Sequence, residues 1–369
     1  MTTTRFAGLL GHEGVRLALS RAVDEGRLPS ALLFHGPAGV GKLTAAVDLF
    51  RELLCQNPGP AACRSCDACR RISVDALRHP DVGLLYPQKK KEDGGDAEDE
   101  GRIAPDLHLI QDQVRRNPSV RILVDPTRRR LGELFLSPSG GRRRLLLILA
   151  AERLGEEAGN ALLKVLEEPP ARASLLLLCE NLSALLPTLR SRCQGYRFAP
   201  LSRKVVAEVL RQRPETKEET ARLVASLSGG RIGRALSLLE ETEGYRQRRR
   251  RLRALLSETR RQRSAAAAVA AAQALAEHED DSAEDLSVLM DLLRDAMMSR
   301  SAADPSLLTD AAETEAESGL NLTASEAAFL LVRVERARED LRRFVNRQVA
   351  LESLFLDLSG LALPRHGVE

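Results

Sequence analysis

The sequence predicts an α/β domain built on a parallel sheet, with a cysteine module inserted near its start and an all-helical remainder. Three observations predict this. Short apolar runs at 31–35 (ALLFH), 81–86 (DVGLLY), 145–149 (LLLIL), 174–179 (SLLLLC) and 195–198 (GYRF) alternate with helical spacing. Alternation of that kind implies parallel strands covered on both faces. A glycine-rich turn separates the first run from a helix, and strand signals stop near residue 200 while helical ones continue.

The first strand leads into Gly36-Pro37-Ala38-Gly39-Val40-Gly41-Lys42, and TAAVDLFRELLC then has helical spacing. Strand, loop and helix are the context that the G-x-x-x-x-G-K phosphate-binding signature requires. Glycines let backbone N–H groups turn inward, and the helix N-terminus adds positive potential. Lys42 is placed to reach β- and γ-phosphates. The full signature wants a hydroxyl next, for magnesium; here Leu43 stands there and Thr44 comes one residue late. One residue turns a helical side chain by about 100°, so Thr44 is a poor direct replacement. Gly36, Gly39, Gly41, Lys42 and Thr44 are the candidate nucleotide contacts and ATP the candidate ligand. The alternative is a tight strand-to-helix turn and nothing more.

Cys55, Cys63, Cys66 and Cys69 follow, four of the six cysteines in one window. Thiolates at C-x7-C-x2-C-x2-C spacing close a tetrahedral Zn²⁺ shell with sulfurs about 2.3 Å from the metal. All four positions are protein ligands, so the role read here is structural. Disulfides and an iron–sulfur cluster are the alternatives, the former disfavoured in a reducing compartment. Cys179 and Cys193 lie singly on apolar segments and read as core or near-core thiols.

Residues 87–104 are charged and without apolar rhythm, a surface insertion. A helix is expected at 125–136. The strand 145–149 ends in Leu149-Ala150-Ala151. A working ATPase of this layout ends that strand in acids that hold magnesium and organise the attacking water. Glu152 lies just beyond, read as a solvated helix residue with a stand-in acid as the alternative. The helix 156–168 carries Ala158, Ala161, Leu162, Val165 and Leu166 on one stripe, leaves Asn160, Lys164, Glu167 and Glu168 off it, and stops at Pro169-Pro170.

Beyond residue 200, three short helices are expected at 203–212, 217–227 and 231–241. Longer ones follow at 244–262, 264–277, 283–300, 324–344 and 347–359. The Ala-rich run 265–272 has high helix propensity. YRQRRRRLRALLSETRRQR at 245–263 holds nine arginines around the narrow stripe Tyr245, Leu252, Leu255 and Leu256. It reads as a solvated helix beside Glu240, Glu241 and Glu243, with phosphate binding as the alternative. Phe329, Leu330, Val332, Val334, Leu341, Phe344 and Val349 suit packing in a bundle.

Bulk composition excludes several classes. Aromatics make up 3% with no Trp, too few for stacking platforms on single-stranded nucleic acid. A net charge of +3 does not make a general nucleic-acid binder. No apolar stretch of about 18 residues exists for a membrane span, and MTTTRFAGLL is a poor signal peptide. A cytoplasmic protein with reduced cysteines is expected.

GPAGVGK at 36–42, the four cysteines after its helix, NALLKVLEEPP at 160–170 and LRSRC at 189–193 together resemble the AAA+ clamp-loader subunits of bacterial DNA polymerase III. The resemblance runs in order along most of residues 5–240 and continues faintly in AREDLRRFVNRQVALESLFLDL at 337–358. Two kinds of subunit share the plan: the gamma/tau motor, with an intact phosphate loop and an acidic strand end, and the delta-prime kind, with degenerate ATPase motifs. This sequence matches the second, and no long extension of the tau kind is expected.

The resemblance implies an AAA+ domain over 1–199 with the zinc module at 55–69, a helical lid over 200–243 and a helical collar over 244–369. It implies that Arg192, in Ser191-Arg192-Cys193, reaches across a subunit interface to a neighbour's ATP as an arginine finger. By itself Arg192 reads as a surface salt bridge. The nucleotide-sensing arginine of the motor falls near Gly233, between Arg231 and Arg234. Lys164 becomes a candidate DNA contact. Implied partners are gamma/tau and delta subunits, the sliding clamp and, through the complex, primer–template DNA. An active gamma/tau-type ATPase, a scaffold uncoupled from ATP and a nucleotide kinase are the rival readings.

Overall fold

The computed structural model describes residues 5–75, 77–88, 106–117, 119–140, 142–276, 282–300, 308–309, 320, 322–342 and 346–361. Most of the expected charged insertion, residues 89–104, lies outside these, as does Phe344. The chain divides into two compact units, residues 1–205 with 230–233, and residues 206–229 with 234–369.

The first unit holds a five-stranded sheet of β1 (Ala31–His35), β2 (Val82–Leu85), β3 (Arg144–Ile148), β4 (Ala173–Cys179) and β5 (Gln194–Arg197), in the order β2-β3-β4-β1-β5. All neighbours are parallel; Phe34 pairs with Leu178 on one side and Tyr196 on the other. Helices cover both faces, which is why the central strands are unbroken aliphatic runs; all seven residues of β4 are buried. Side chains alternate between two cores. Leu32, Phe34, Leu147 and Leu178 pack with Ala46, Leu49 and Phe50 of α2 (Lys42–Leu54). Leu33, Leu146, Ile148 and Leu177 pack with Leu131 of α5 (Val124–Glu133), with Leu162 and Val165 of α6 (Glu156–Glu167), and with Leu189 of α7 (Pro187–Arg192).

Four helices of this unit were not anticipated, α1 (Glu13–Asp24), α3 (Asp67–Arg70), α4 (Leu107–Arg116) and α7. In α4, Leu107, Ile110 and Val114 are buried at i, i+3 and i+7, and Asp106 caps the first turn by accepting from His108 and Leu109 N–H. That pattern is legible once the charged insertion before it is set aside.

The second unit is helical in all its regular elements among the described residues. It contains α9 (Glu218–Leu227), α11 (Thr242–Gln262), α12 (Ala265–Ala276), α13 (Ser282–Arg300) and the helices Ala324–Arg342 and Arg347–Leu358. Leu252, Leu256, Ala268, Ala272, Leu289, Leu293, Leu330, Val334, Leu351 and Phe355 form one core. The alanines of α12 are small enough for it to lie close on the last helix. Phe329, Val332 and Val349, read as suited to bundle packing, are exposed at 41%, 68% and 57%. Their helices present other apolar residues inward.

The arginine-rich α11 departs from expectation. Several of its counter-charges are contributed by distant elements. Arg249 is fully buried and donates to the equally buried Asp295 at 2.8 Å. Arg248 and Arg251 share the buried Asp285. Arg260 reaches Glu326 and the Leu358 carbonyl. The helix is a keystone of this unit, not a solvated rod. No described helix is long and apolar enough to cross a membrane.

Candidate functional site

The loop from β1 to α2 has the shape of a phosphate cradle. Gly36, Gly39 and Gly41 take positive φ values of 142°, 73° and 104°, the left-handed region that favours glycine. At Gly36 a Cβ would stand 2.0 Å from the Phe198 carbonyl oxygen, so no other residue fits. Lys42 is 5% exposed. Its Nζ donates to the carbonyls of Gly36 at 2.5 Å and Pro37 at 2.6 Å. The lysine thus bonds the cradle's own backbone, and burial pushes its pKa down to about 8. The Thr44 methyl lies 3.3 Å from where a Gly8 Cβ would be, so this side chain packs against the segment before α1.

At the end of β3, Leu149 is buried and donates its N–H to the Leu85 carbonyl. Ala150 takes a left-handed conformation, φ 50° and ψ 55°. A small cleft here is lined by Lys42, Arg115, Leu149, Ala150, Glu152 and Glu180. Glu152 is therefore not the solvated helix residue expected. It sits in a 3-10 turn, one carboxylate oxygen accepts the Glu180 N–H at 3.1 Å, and the other is buried without a hydrogen-bond partner among the described residues. Glu152 and Glu180 are the acids that line this cleft among the described residues.

Two further groups touch the cradle. His12 Nε2–H donates to the Val40 carbonyl at 2.8 Å, with its ring 5.0 Å from Phe198; burial lowers its pKa. Sequence reasoning missed His12, whose only signal is its place before a helical stretch. Gly233 donates its N–H to the Gly39 carbonyl at 2.8 Å, and a Cβ there would lie 3.2 Å from Gly39 Cα. The backbone of Gly233 thus approaches the loop closely.

The four cysteines converge, their sulfurs all within 4.8 Å of one another. Four thiolates around Zn²⁺ at about 2.3 Å stand about 3.8 Å apart, so the set fits a tetrahedral ion. N–H groups of Cys63, Cys66 and Cys69 point at the sulfurs of Cys55, Cys63 and Cys66 at 3.3–3.5 Å. N–H groups of Cys66 and Ser65 pull the Cys63 thiol down to about 6, which favours the ligating thiolate. The module is tied to α2: Ala62 N–H donates to Glu52 at 2.9 Å, and Arg64 to the buried Asp48 at 3.0 Å. Bound metal would supply cross-linking of these loops and no reaction step.

Arg192 ends α7 on the surface, its side chain 38% exposed. Nη1 donates to the Thr188 carbonyl one turn back at 3.3 Å, and Nη2 to Glu167 at 2.8 Å. Leu189 of the same helix is fully buried and fixes which face points outward. Lys164 and Asn160 on α6 are exposed and line a groove of about 400 Å³ with Arg128 and Phe135. Cys179 is wholly buried and Cys193 half-buried, as expected of core thiols.

Fold and loop together define an AAA+ P-loop domain with a four-cysteine module and a helical C-terminal part. The family described as "DNA polymerase III, delta subunit" matches residues 11–202, and the chain belongs to it. The Pseudomonas aeruginosa DNA polymerase III subunit delta' is 32% identical over 54% of this chain and 52% of its own. The Bacillus subtilis subunit delta' is 30% identical over 61% and 58% respectively. The Mycobacterium bovis subunit gamma/tau is 30% identical over 64% of this chain and 36% of its own. The chain thus matches between about a third and three fifths of these relatives' length.

Proposed function

We propose that this chain is a stator of the delta-prime kind in a DNA polymerase III clamp loader, hydrolysing no ATP itself and lending Arg192 to a neighbouring motor subunit. Its working neighbours are gamma/tau and delta subunits, and the complex they form opens a sliding clamp and places it at primer–template junctions. The division of labour follows an AAA+ domain over 1–199, a lid over 200–243 and a collar over 244–369. Zn²⁺ at Cys55, Cys63, Cys66 and Cys69 holds the module folded.

One contrast carries this reading. The strand end that should hold magnesium-binding acids offers buried Leu149 and strained Ala150. Meanwhile Arg192 stands on the surface, held by an exposed carboxylate and one carbonyl of its own helix. A guanidinium supplied in trans stabilises charge on the transferring γ-phosphoryl group, an effect worth roughly 10³–10⁵ in rate in GTPases. Gly36, Gly39, Gly41, Lys42 and Thr44 then persist as scaffold, with the lysine spent on the loop's own carbonyls.

Arg192→Ala in the reconstituted complex tests the assignment. Turnover at the adjoining ATP site falls by about 10³-fold and clamp loading stops, while the isolated chain keeps its melting temperature. Wild-type ATPase and loading rates in that complex would remove the trans role.

A further inference from the structure

The guanidinium of Arg192 does not extend away from the domain. It folds back along its own helix, one terminal nitrogen on the Thr188 carbonyl four residues earlier and the other on Glu167 at the end of α6. A guanidinium presents a planar fork whose two-pronged grip on phosphate needs two N–H groups on one edge. With both terminal nitrogens already engaged, that edge is not fully free.

We propose that Glu167 is a positioning residue that parks Arg192 and releases it when the phosphate of a neighbouring subunit's nucleotide competes for the fork. This rests on the trans role of Arg192 proposed above and specifies how that role is held in check. The partner that displaces Glu167 is a phosphoryl group carrying more negative charge than one carboxylate. Glu167 suits the task because the pair is weak: Arg192 is 38% exposed and Glu167 55%, and such pairs contribute little. The alternative partner therefore wins easily once present, and the parked state persists when it is absent. Pro169 and Pro170 end α6 directly after Glu167 and Glu168, so the carboxylate sits at a fixed helix end with no further turn to displace it.

Glu167→Gln decides the matter by two readouts. In the isolated chain, side-chain ¹⁵N relaxation at the Arg192 guanidinium shows faster motion in the variant, with backbone amides of α6 and α7 unchanged. In the reconstituted complex without clamp or primer–template, the variant raises kcat for ATP about two- to five-fold, the ceiling set by so exposed a pair, and leaves KM unchanged. Glu167→Gln on an Arg192→Ala background changes nothing further. Unchanged guanidinium motion, or a slower complex, overturns parking; a slower complex means that Glu167 orients the finger instead. An Arg192→Ala complex with wild-type turnover overturns the trans role itself and, with it, the reason for parking.

Discussion

Lys42 and Arg192 are the two cations on which nucleotide chemistry at this sheet would turn, and the chain treats them oppositely. Lys42 is 5% exposed and bonds carbonyls of its own loop. Arg192 is 38% exposed and leans on a glutamate that is itself mostly in water. A buried polar group without partners is costly, so the closed region has satisfied itself from within. The exposed region has no such requirement and keeps a charge available. Closure and availability are alternatives at one position, and this chain distributes them between the β1–α2 loop and the end of α7.

Perturbing the most closed site gives the largest response. Stripping metal with a chelator and reductant, or Cys69→Ala, unfolds residues 55–72. Structural zinc contributes apparent free energies of about 10–16 kcal/mol in zinc-finger peptides. Hydrogen exchange then rises in the module and, through the lost Arg64–Asp48 and Ala62–Glu52 bonds, in α2. Exchange confined to the module would show that the ties to α2 carry no stability.

Next is Arg249, a second closed cation. Asp295→Ala removes the buried carboxylate that Arg249 donates to at 2.8 Å, and urea unfolding should lose about 3–5 kcal/mol. A loss below about 1 kcal/mol, the range of exposed pairs, would erase the distinction between buried and exposed arginines drawn here.

Lys42 gives a pH signature. Its folded pKa, about 8, is below the unfolded value of 10.5, so between these values the unfolded chain binds the extra proton. Stability therefore rises with pH from about 8 to 10.5, by an amount of order a few kcal/mol, and the penalty is fully present below pH 8. Lys42→Met removes this rise. An unchanged profile in the variant would mean that the lysine is not desolvated as its surroundings imply.

The smallest effect belongs to the open site. Glu167→Ala should change the stability of the isolated chain by less than about 0.5 kcal/mol, seen as coincident urea curves. A larger loss would make the pair structural and weaken the parking role.

Much of this was legible because it is local. Strand–GPAGVGK–helix fixes a cradle through glycine's freedom at positive φ and a helix start at Lys42. The cysteine spacing fixes a four-sulfur set, and uniform aliphatic runs fix strands covered on both faces. The missing acids at 149–150 were equally plain from residue type. Where the reading failed, the cause was long-range pairing. Glu152 looked solvated because nothing nearby in sequence says that the chain brings it to Lys42 and Glu180. His12 gave no signal for its bond to Val40, 28 residues on.

Arginine makes the same point at both ends of the molecule. The sequence by itself determined that α11 is a helix crowded with guanidinium groups and that Arg192 stands in Ser191-Arg192-Cys193 after the strand 174–179. Only the tertiary structure decided that Arg249 is buried against Asp295, 46 residues away, and that Arg192 is held by Glu167, 25 residues away. Helix propensity and backbone conformation are settled by neighbours within a turn or two, whereas the environment of a charge depends on which distant side chains share its local dielectric, and no spacing rule encodes that.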